Sequence, residues 1–592
     1  MQNNDPIEPT SEQTKMIEEA VALHQSGQLD LAETQYKYLL NYLPNNPSLL
    51  TNLGIIALQK GRLEDGVRII EASLKIEPNQ INALNNLGTA LQGINRPDEA
   101  LASYDRAIAL NPGYADVFSD RGNVLRDLKR LDEALASYDS AIALNPGYAD
   151  AYYNRGVTLQ DLKRLDEALA SFDHAIALNL DYAEAYSNRG NVLRDLKRSD
   201  EALASYDRAI ALNTDSAESY YNRGNALRDL KRLDEALASY DRAIALNPDY
   251  AEAYSNRGNS LQDLKRLDEA LASYDCAIAL KPDYAGANWN KSLLKLLMGD
   301  YLEGWKLYEW RWKKEQQINS RREYHQPLWL GDESLINKTI LIYLDQGFGD
   351  YIQCIRYAAL VEQLGAKVIL EVPLELMTLC STLKGNFTLL ESRQPLPFFD
   401  YRCPVMSLPL ALKTTVETIP TQIPYLYVDE EKKKLWNEKL GEKTLTRIGL
   451  VWSGFSKHTN DHNRSLLLNQ LTSLLVLPVE FHSLQKEVRE IDIRTLTDFS
   501  NLHQHQEDLL DFSDTAALID AMDLVISVDT SVAHLAGAMG KKTFILIPYS
   551  PDWRWMLDKM DSPWYPTATL FRQPAMGDWE SVIAEIRKLL SN

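Results

Sequence analysis

The chain has 592 residues. Single hydrophobic cores stop growing near ~250–300 residues, so at least two folding units are expected. A formal net charge of -21 repels phosphate backbones and anionic lipid, which argues against nucleic acid and membrane surfaces as general partners. The four cysteines (Cys276, Cys354, Cys380 and Cys403) show no C-x-x-C spacing, which argues against a structural zinc or a disulfide framework. The polar start MQNNDPIEPT lacks a signal pattern and no run approaches about 18 apolar residues, so a cytoplasmic location without a membrane span is expected.

In chain order, residues 1–12 read as a flexible N-terminus, and a strict periodicity follows. Glycine recurs every 34 residues at Gly54, Gly88, Gly122, Gly156, Gly190, Gly224 and Gly258. Twelve residues after each from Gly88 on stands an alanine (Ala100, Ala134, Ala168, Ala202, Ala236, Ala270), and four further on an aromatic (Tyr104, Tyr138, Phe172, Tyr206, Tyr240, Tyr274). A proline near the unit's end (Pro44, Pro78, Pro112, Pro146, Pro248, Pro282) gives way to Leu180 and Thr214 in two units. Small residues suit two helices that cross closely. The aromatic fills the gap to the next pair, and proline stops the second helix because it lacks an N–H and its ring clashes with the preceding turn. Eight units are expected from 13 to 284, with a degenerate ninth at 285–318 that keeps Tyr308 but has Ser292 for glycine. The pattern resembles the tetratricopeptide repeat, which implies an all-α, right-handed solenoid with a concave binding surface.

Two residues before each glycine stands an asparagine: Asn52, Asn86, Asn154, Asn188, Asn222, Asn256, and Asn290 in the degenerate unit. Asp120 alone breaks the series. An amide both donates and accepts, so such a row can hold the backbone of an extended peptide whatever its side chains. The row resembles the asparagine ladder of the protein O-linked N-acetylglucosamine transferases, which implies a protein or peptide partner on the concave face. A solvated consensus residue in duplicated units is the other reading.

The rhythm fails near 318, and 319–336, with Pro327 and Gly331, reads as a linker. The stretch 299–312 before it reads as a last helix. KTILIYL (338–344) is a buried strand, followed by Gly347, Gly349, a helix YIQCIRYAALVEQLGA and a second strand KVILEV (367–372). A second block holds strands RIGLVWSG (447–454), VEFHSLQ (479–485), DLVISVDT (523–530) and KTFILIP (542–548), with helices DTAALIDAM and SVAHLAGAMG. Two lobes are expected, 337–425 and 426–592, the second opening on the charged inter-lobe helix DEEKKKLWNEKLGEK. The fold class is therefore multidomain: an all-α tetratricopeptide solenoid followed by an α/β pair of Rossmann-like lobes, which resembles the GT-B architecture.

Two loops carry candidate chemistry. In DQGFGDYIQ (345–353), Gly347 and Gly349 allow a tight strand-to-helix turn and Asp350 stands at the helix start. In SVDTSVAHLAG (527–537) a strand ends at Asp529, and Thr530 and Ser531 open a helix whose free N–H groups suit a diphosphate. Together with W-x-G-x-x-x-L-x-x-K-T, V-D-T-S-V-A-H-L-A-G and S-P-W-Y-P, G-F-G-D resembles glycosyltransferase family 9, the heptosyltransferase-like enzymes. The resemblance implies Asp350 as general base. It also implies Gly347, Gly349, Asp529, Thr530, Ser531 and His534 at a nucleotide-sugar donor, which is a substrate; no cofactor is expected. Helix capping by Asp350 and core packing by His534 are the alternatives. No D-x-D pair occurs from 335 to 592, so no metal is expected. Lys457 and Arg464, and then Arg554 and Arg572, are candidates to neutralise the leaving diphosphate. The aromatics of PDWRWMLDKMDSPWYP either stack on a ligand or pack the core. The expected function is metal-independent inverting transfer of a sugar to an acceptor presented by the repeats. A non-catalytic interaction scaffold is the alternative.

Overall fold

The computed structural model describes residues 9–314, 322, 324–457 and 460–591. Of the stretch expected to be flexible, residues 1–8 lie outside the described ones. Thr10 is ordered as a cap: it accepts the Gln13 N–H at 3.3 Å, and the Gln13 side chain accepts the Thr10 N–H at 2.9 Å. The chain divides into two compact units, Met1–Pro248 and Asp249–Asn592. The division expected near 318 thus falls earlier, because the last helix pairs pack with the α/β lobes.

The first unit is a helical repeat solenoid of paired helices, from Ser11–Gln25 to Leu233–Leu246. Three devices recur in it. Each pair turns through one left-handed residue, at Gly27, Gly61, Asn95, Lys129, Lys163, Lys197 and Lys231. At Lys197, its own N–H reaches Arg194 O at 2.9 Å and the next N–H, of Arg198, reaches Leu193 O at 2.9 Å, which closes a Schellman motif. The buried aromatic of the second helix bonds back to the first: Tyr206 Oη donates to Asn191 Oδ1 at 2.8 Å, and Tyr138 to Asn123 and Tyr240 to Asn225 likewise. An arginine staples successive pairs. Arg189 Nε meets Asp173 Oδ1 and its Nη1 meets Ser205 Oγ, both at 2.6 Å, and Arg121, Arg155 and Arg223 repeat the arrangement.

The second unit begins with helices Ala251–Asp263, Leu267–Leu280, Ala285–Leu297 and Tyr301–Tyr308. Left-handed Lys265 and Gly299 keep the 34-residue phase, so the degenerate ninth unit is a true helix pair. Its second helix is short and runs into a 3-10 turn, Glu309–Lys313. The first lobe is a parallel sheet of β1 (Thr339–Tyr343), β2 (Lys367–Val372), β3 (Phe387–Glu391) and β4 (Tyr401–Pro404), in the order β3-β2-β1-β4. Part of the expected linker belongs to it: Leu328 bridges Arg402, and Trp329 is buried.

The second lobe holds β5 (Arg447–Val451), β6 (Glu480–Ser483), β7 (Leu502–His503), β8 (Leu524–Val528), β9 (Thr543–Ile547) and β10 (Ala568–Arg572), all parallel, in the order β10-β9-β8-β5-β6-β7. Every residue of β5, β8 and β9 is buried, as a sheet covered on both faces requires. Strand order reverses beside β1 and β4 and again beside β5 and β8. These are the switch points where open α/β sheets bind ligands.

The helix expected across 351–366 is broken. It runs Phe348–Cys354, a 3-10 turn Ile355–Tyr357, then Ala358–Gln363. At the break Arg356 Nε donates to the Gln353 carbonyl at 2.8 Å, the acceptor a continuing helix would offer Tyr357.

Candidate functional site

The loop after β1 starts the site. Asp345 leaves the strand with its carboxylate buried, the chain turns at Gly347, and Asp350 folds back so that its Oδ2 accepts the Gly347 N–H at 2.8 Å. This is the capping geometry that an aspartate in the first helical turn favours. In the other lobe, β8 delivers Asp529 and Thr530 to the start of helix Ser531–Ala538. The Thr530 side chain does not cap that helix; its Oγ1 lies 3.2 Å from Ser527 Oγ instead. The first-turn N–H groups thus receive no side-chain cap from Thr530, and such uncapped groups are the kind that can take an anion. From the loop after β5, Arg464 Nη1 donates to Asp529 O at 2.9 Å, while its buried Nε has no partner among the described residues.

The two loops meet. A Cβ added at Gly349 would lie 3.0 Å from His534 Cδ2 and 3.4 Å from Ser531 Cα, so glycine is what lets the helices approach. Phe348 packs edge-on against Phe512, with centroids 5.5 Å apart. Arg554 ties the lobes at the same place. Its Nη2 pairs with Asp350 Oδ1, its Nε donates to Gln353 Oε1 at 2.6 Å, and its Nη1 donates to Asp552 Oδ1 at 2.8 Å.

His534 stacks on Trp555 at 5.4 Å, with Nδ1 3.0 Å from Tyr565 Oη and Nε2 3.8 Å from Asp529 Oδ1. Burial, then the guanidinium groups of Arg554, Arg356 and Arg464, holds its pKa well below the usual imidazole range, so it is neutral at pH 7. Burial and then Asp552 push Asp529 up to about 6.

Gly347, Gly349, Asp350, Arg464, Asp529, Thr530, Ser531 and His534 thus converge on one crevice. Lys457 is exposed in the loop after β5, and no hydrogen bond or ion pair among the described residues joins it to the group. Arg572 is not a candidate: its guanidinium donates to the carbonyls of Lys559, Met556 and Trp555. The tryptophans of PDWRWMLDKMDSPWYP, with Tyr565, are buried and pack the core.

Arg356 is a member that the sequence reading missed. It is buried and donates to Pro420 O, Trp564 O and Tyr425 Oη at 2.8–3.0 Å, which locks the helix after Asp350 to the second lobe. The available signal was an arginine inside the apolar run YIQCIRYAAL.

The asparagine row is half-buried rather than fully solvated, and several of its amides have partners inside the protein. Asn86 Nδ2 donates to Asn82 O at 2.7 Å and Asn188 Nδ2 to Tyr153 Oη at 2.8 Å, while Asn154 Oδ1 accepts from Arg126 at 3.3 Å. Asn222 is buried. In the second unit, Asn290 Nδ2 donates to Asn259 Oδ1 at 2.9 Å. Asn52 and Asn256 are half-buried.

Sequence profiles of the tetratricopeptide repeat match residues 17–81, 81–114, 122–163, 149–182, 190–230, 224–265 and 251–284. The profile of glycosyltransferase family 9 (heptosyltransferase) matches residues 509–576, which include Asp529, Ser531, His534 and Arg554. The protein FlbA of Caulobacter vibrioides is 26% identical over a match of 327 residues that covers 51% of this chain. The match spans 54% of FlbA, so the chain spans about half the length of this curated relative.

Among solved structures, YrrB, a tetratricopeptide-repeat protein, is 29% identical, covering 32% of this chain and 98% of its own, with a TM-score of 0.29. A tetratricopeptide-repeat protein from Parabacteroides merdae is 19% identical, covering 43% of this chain and 100% of its own, with a TM-score of 0.35. The chain therefore carries tetratricopeptide repeats, followed within its second lobe by a stretch, 509–576, that matches glycosyltransferase family 9. No helix among the described residues is long and apolar enough to cross a membrane.

Proposed function

We propose that the chain is an inverting, metal-independent glycosyltransferase of GT-B type that moves a sugar from a nucleotide-sugar donor to an acceptor, a protein, presented by the repeats. The observation that carries this is the convergence of Asp350 with the uncapped helix start at Ser531. The diphosphate would lie on the N–H groups of that helix, a dipole contribution of about 0.3–2 kcal/mol. Arg464 and Arg554 would supply the remaining positive charge.

Arg554 now neutralises Asp350. A diphosphate that drew Arg554 away would free the Asp350 carboxylate to take the proton of the acceptor hydroxyl, whose oxygen attacks the anomeric carbon in line as the diphosphate leaves. His534, neutral and held by Tyr565 and Trp555, would shape the donor pocket rather than carry charge. In the first unit Asn52, Asn86, Asn154, Asn188 and Asn222, and in the second Asn256 and Asn290, would each offer an amide to an acceptor backbone after exchanging internal partners.

One observation favours a second reading. Both Asp350 oxygens are engaged, one by Gly347 and one by Arg554. In a non-catalytic scaffold they would stay so. The deciding measurement is nucleoside diphosphate release from a panel of nucleotide sugars, with cell lysate as acceptor source and with or without EDTA. Release by wild type that persists in EDTA and is lost in Asp350→Asn is expected. Equal release by Asp350→Asn would remove the general-base assignment, and no release from any donor would leave the scaffold reading.

A further inference from the structure

The last helix pair of the array also belongs to the crevice. Arg311, in the 3-10 turn that follows it, is fully buried. Its Nε donates to Asp345 Oδ2 at 3.0 Å, its Nη1 to Glu309 Oε1 at 2.6 Å and to Tyr308 O at 3.3 Å, and its Nη2 to Ser407 Oγ at 2.7 Å. Ser407 in turn donates to Glu309 at 2.8 Å. Asp345 Oδ1 accepts the Met406 N–H at 3.2 Å. One residue on, Gln346 Oε1 accepts from Tyr308 Oη at 3.1 Å. Asp345 and Gln346 are the two residues before Gly347, so the array's end grips the root of the loop that carries Asp350.

The same segment reaches the other side of the crevice. Trp305 packs edge-on against Trp553 at 5.1 Å, Tyr301 and Tyr308 also meet the Trp553 ring, and Trp564 Nε1 donates to Tyr301 Oη at 3.2 Å. Trp553 directly precedes Arg554. The turn of the pair before it touches the loop after β9: Lys265 Nζ lies 3.9 Å from the Tyr549 ring centroid, and Ser550 Oγ donates to Asp263 at 3.3 Å. The loop of Asp350 and the turn of Arg554 are thus both seated on residues 301–311.

We infer that Arg311, backed by Tyr308, is a positioning residue that holds the 345–350 loop against Arg554, so that the array's terminal pair is a working part of the crevice rather than a tether. This rests on the transferase reading for its effect on turnover, but not for its effect on the loop. A buried arginine whose charge is met by two carboxylates and a hydroxyl is costly to disturb. Removing it frees the Asp345 carboxylate from the array, which then holds the loop by the hydrogen bond from Tyr308 to Gln346, while Met406, Arg554 and Phe512 hold it from the lobes.

The test uses the full chain. The pair Arg311→Met with Asp345→Asn avoids leaving the Asp345 carboxylate unpaired, while Glu309 keeps Trp312 Nε1 and Ser407 Oγ, and Tyr308→Phe is a milder second variant. Amide exchange over 345–351 is expected to quicken about tenfold in the pair and less in Tyr308→Phe, with β5 unchanged. Diphosphate release should lose kcat while the donor KM holds. Exchange over 345–351 within about twofold of wild type in both variants would overturn the inference. If wild type releases no diphosphate at all, the transferase reading falls while the exchange data still decide the role of Arg311.

Discussion

Four exposed lysines stand where the backbone is left-handed. Lys129, Lys163, Lys197 and Lys231 have φ of 60°, 60°, 64° and 61°, at the Schellman position that Gly27 and Gly61 fill earlier in the array. An L-residue there costs roughly 1–2 kcal/mol because its Cβ crowds the backbone. Glycine removes that cost but returns roughly 0.5–1 kcal/mol through the wider freedom of its unfolded chain. The net gain expected from Lys→Gly is about 0.5–1 kcal/mol per site. The sites are 34 residues apart, so their gains should add, to about 2–4 kcal/mol for all four. For a unit of this size that raises Tm by about 5–15 °C, read as loss of helical circular dichroism on heating. Lys→Ala at the same four sites keeps the Cβ and should leave Tm near wild type. A Gly set that melts no higher than wild type, or an Ala set that gains as much, would refute the argument.

Two further outcomes are expected. A Cβ at Gly190 would lie 2.6 Å from Tyr206 Cε1, so Gly190→Ala should destabilise the first unit by about 1–3 kcal/mol in urea unfolding, and no loss of stability would contradict the close crossing. In the second unit, His482 Nδ1 and His505 Nε2 lie 3.1 Å apart, and His503 stacks on His482 at 4.9 Å. Burial and then the neighbouring histidines hold His482 at about 4, and burial and then His503 hold His505 at about 4. Both lie below the ordinary imidazole value, so the unfolded chain takes up the protons first. The stability that the neutral pair contributes is present above about pH 6.5 and is lost as the pH falls towards 4. A urea midpoint that falls no further between pH 7.5 and 5 in wild type than in His505→Phe would refute it.

The repeats were legible in the sequence because their chemistry is local and repeated. Glycine, alanine, aromatic and proline each act within one helix pair, and 34-residue recurrence multiplies the signal. The two loops were legible for a similar reason, since Gly347–Asp350 and Asp529–His534 are short segments between an apolar strand and a helix. The central strands β1, β2, β5, β8 and β9 declared themselves as apolar runs because both their faces are covered. The edge strands β3, β7 and β10 and the short β4 did not, since Phe387–Glu391 is only half-buried and Leu502–His503 is two residues long.

Tertiary structure alone decided which side chains meet. Arg554 and Asp350 are 204 residues apart, and Arg356 reaches Trp564 across 208, so no local pattern could pair them. It also separated two arginines that read alike: Arg554 faces Asp350, while Arg572 is spent on three backbone carbonyls. The place of the array's end was decided the same way. Arg311 lies in a stretch that reads as the close of a helix, and only the folded chain sets its guanidinium between Asp345, Glu309 and Ser407. Periodicity reports what a residue does within its own element. The partners of a buried charge are chosen by packing, which brings distant segments together and leaves no trace in spacing.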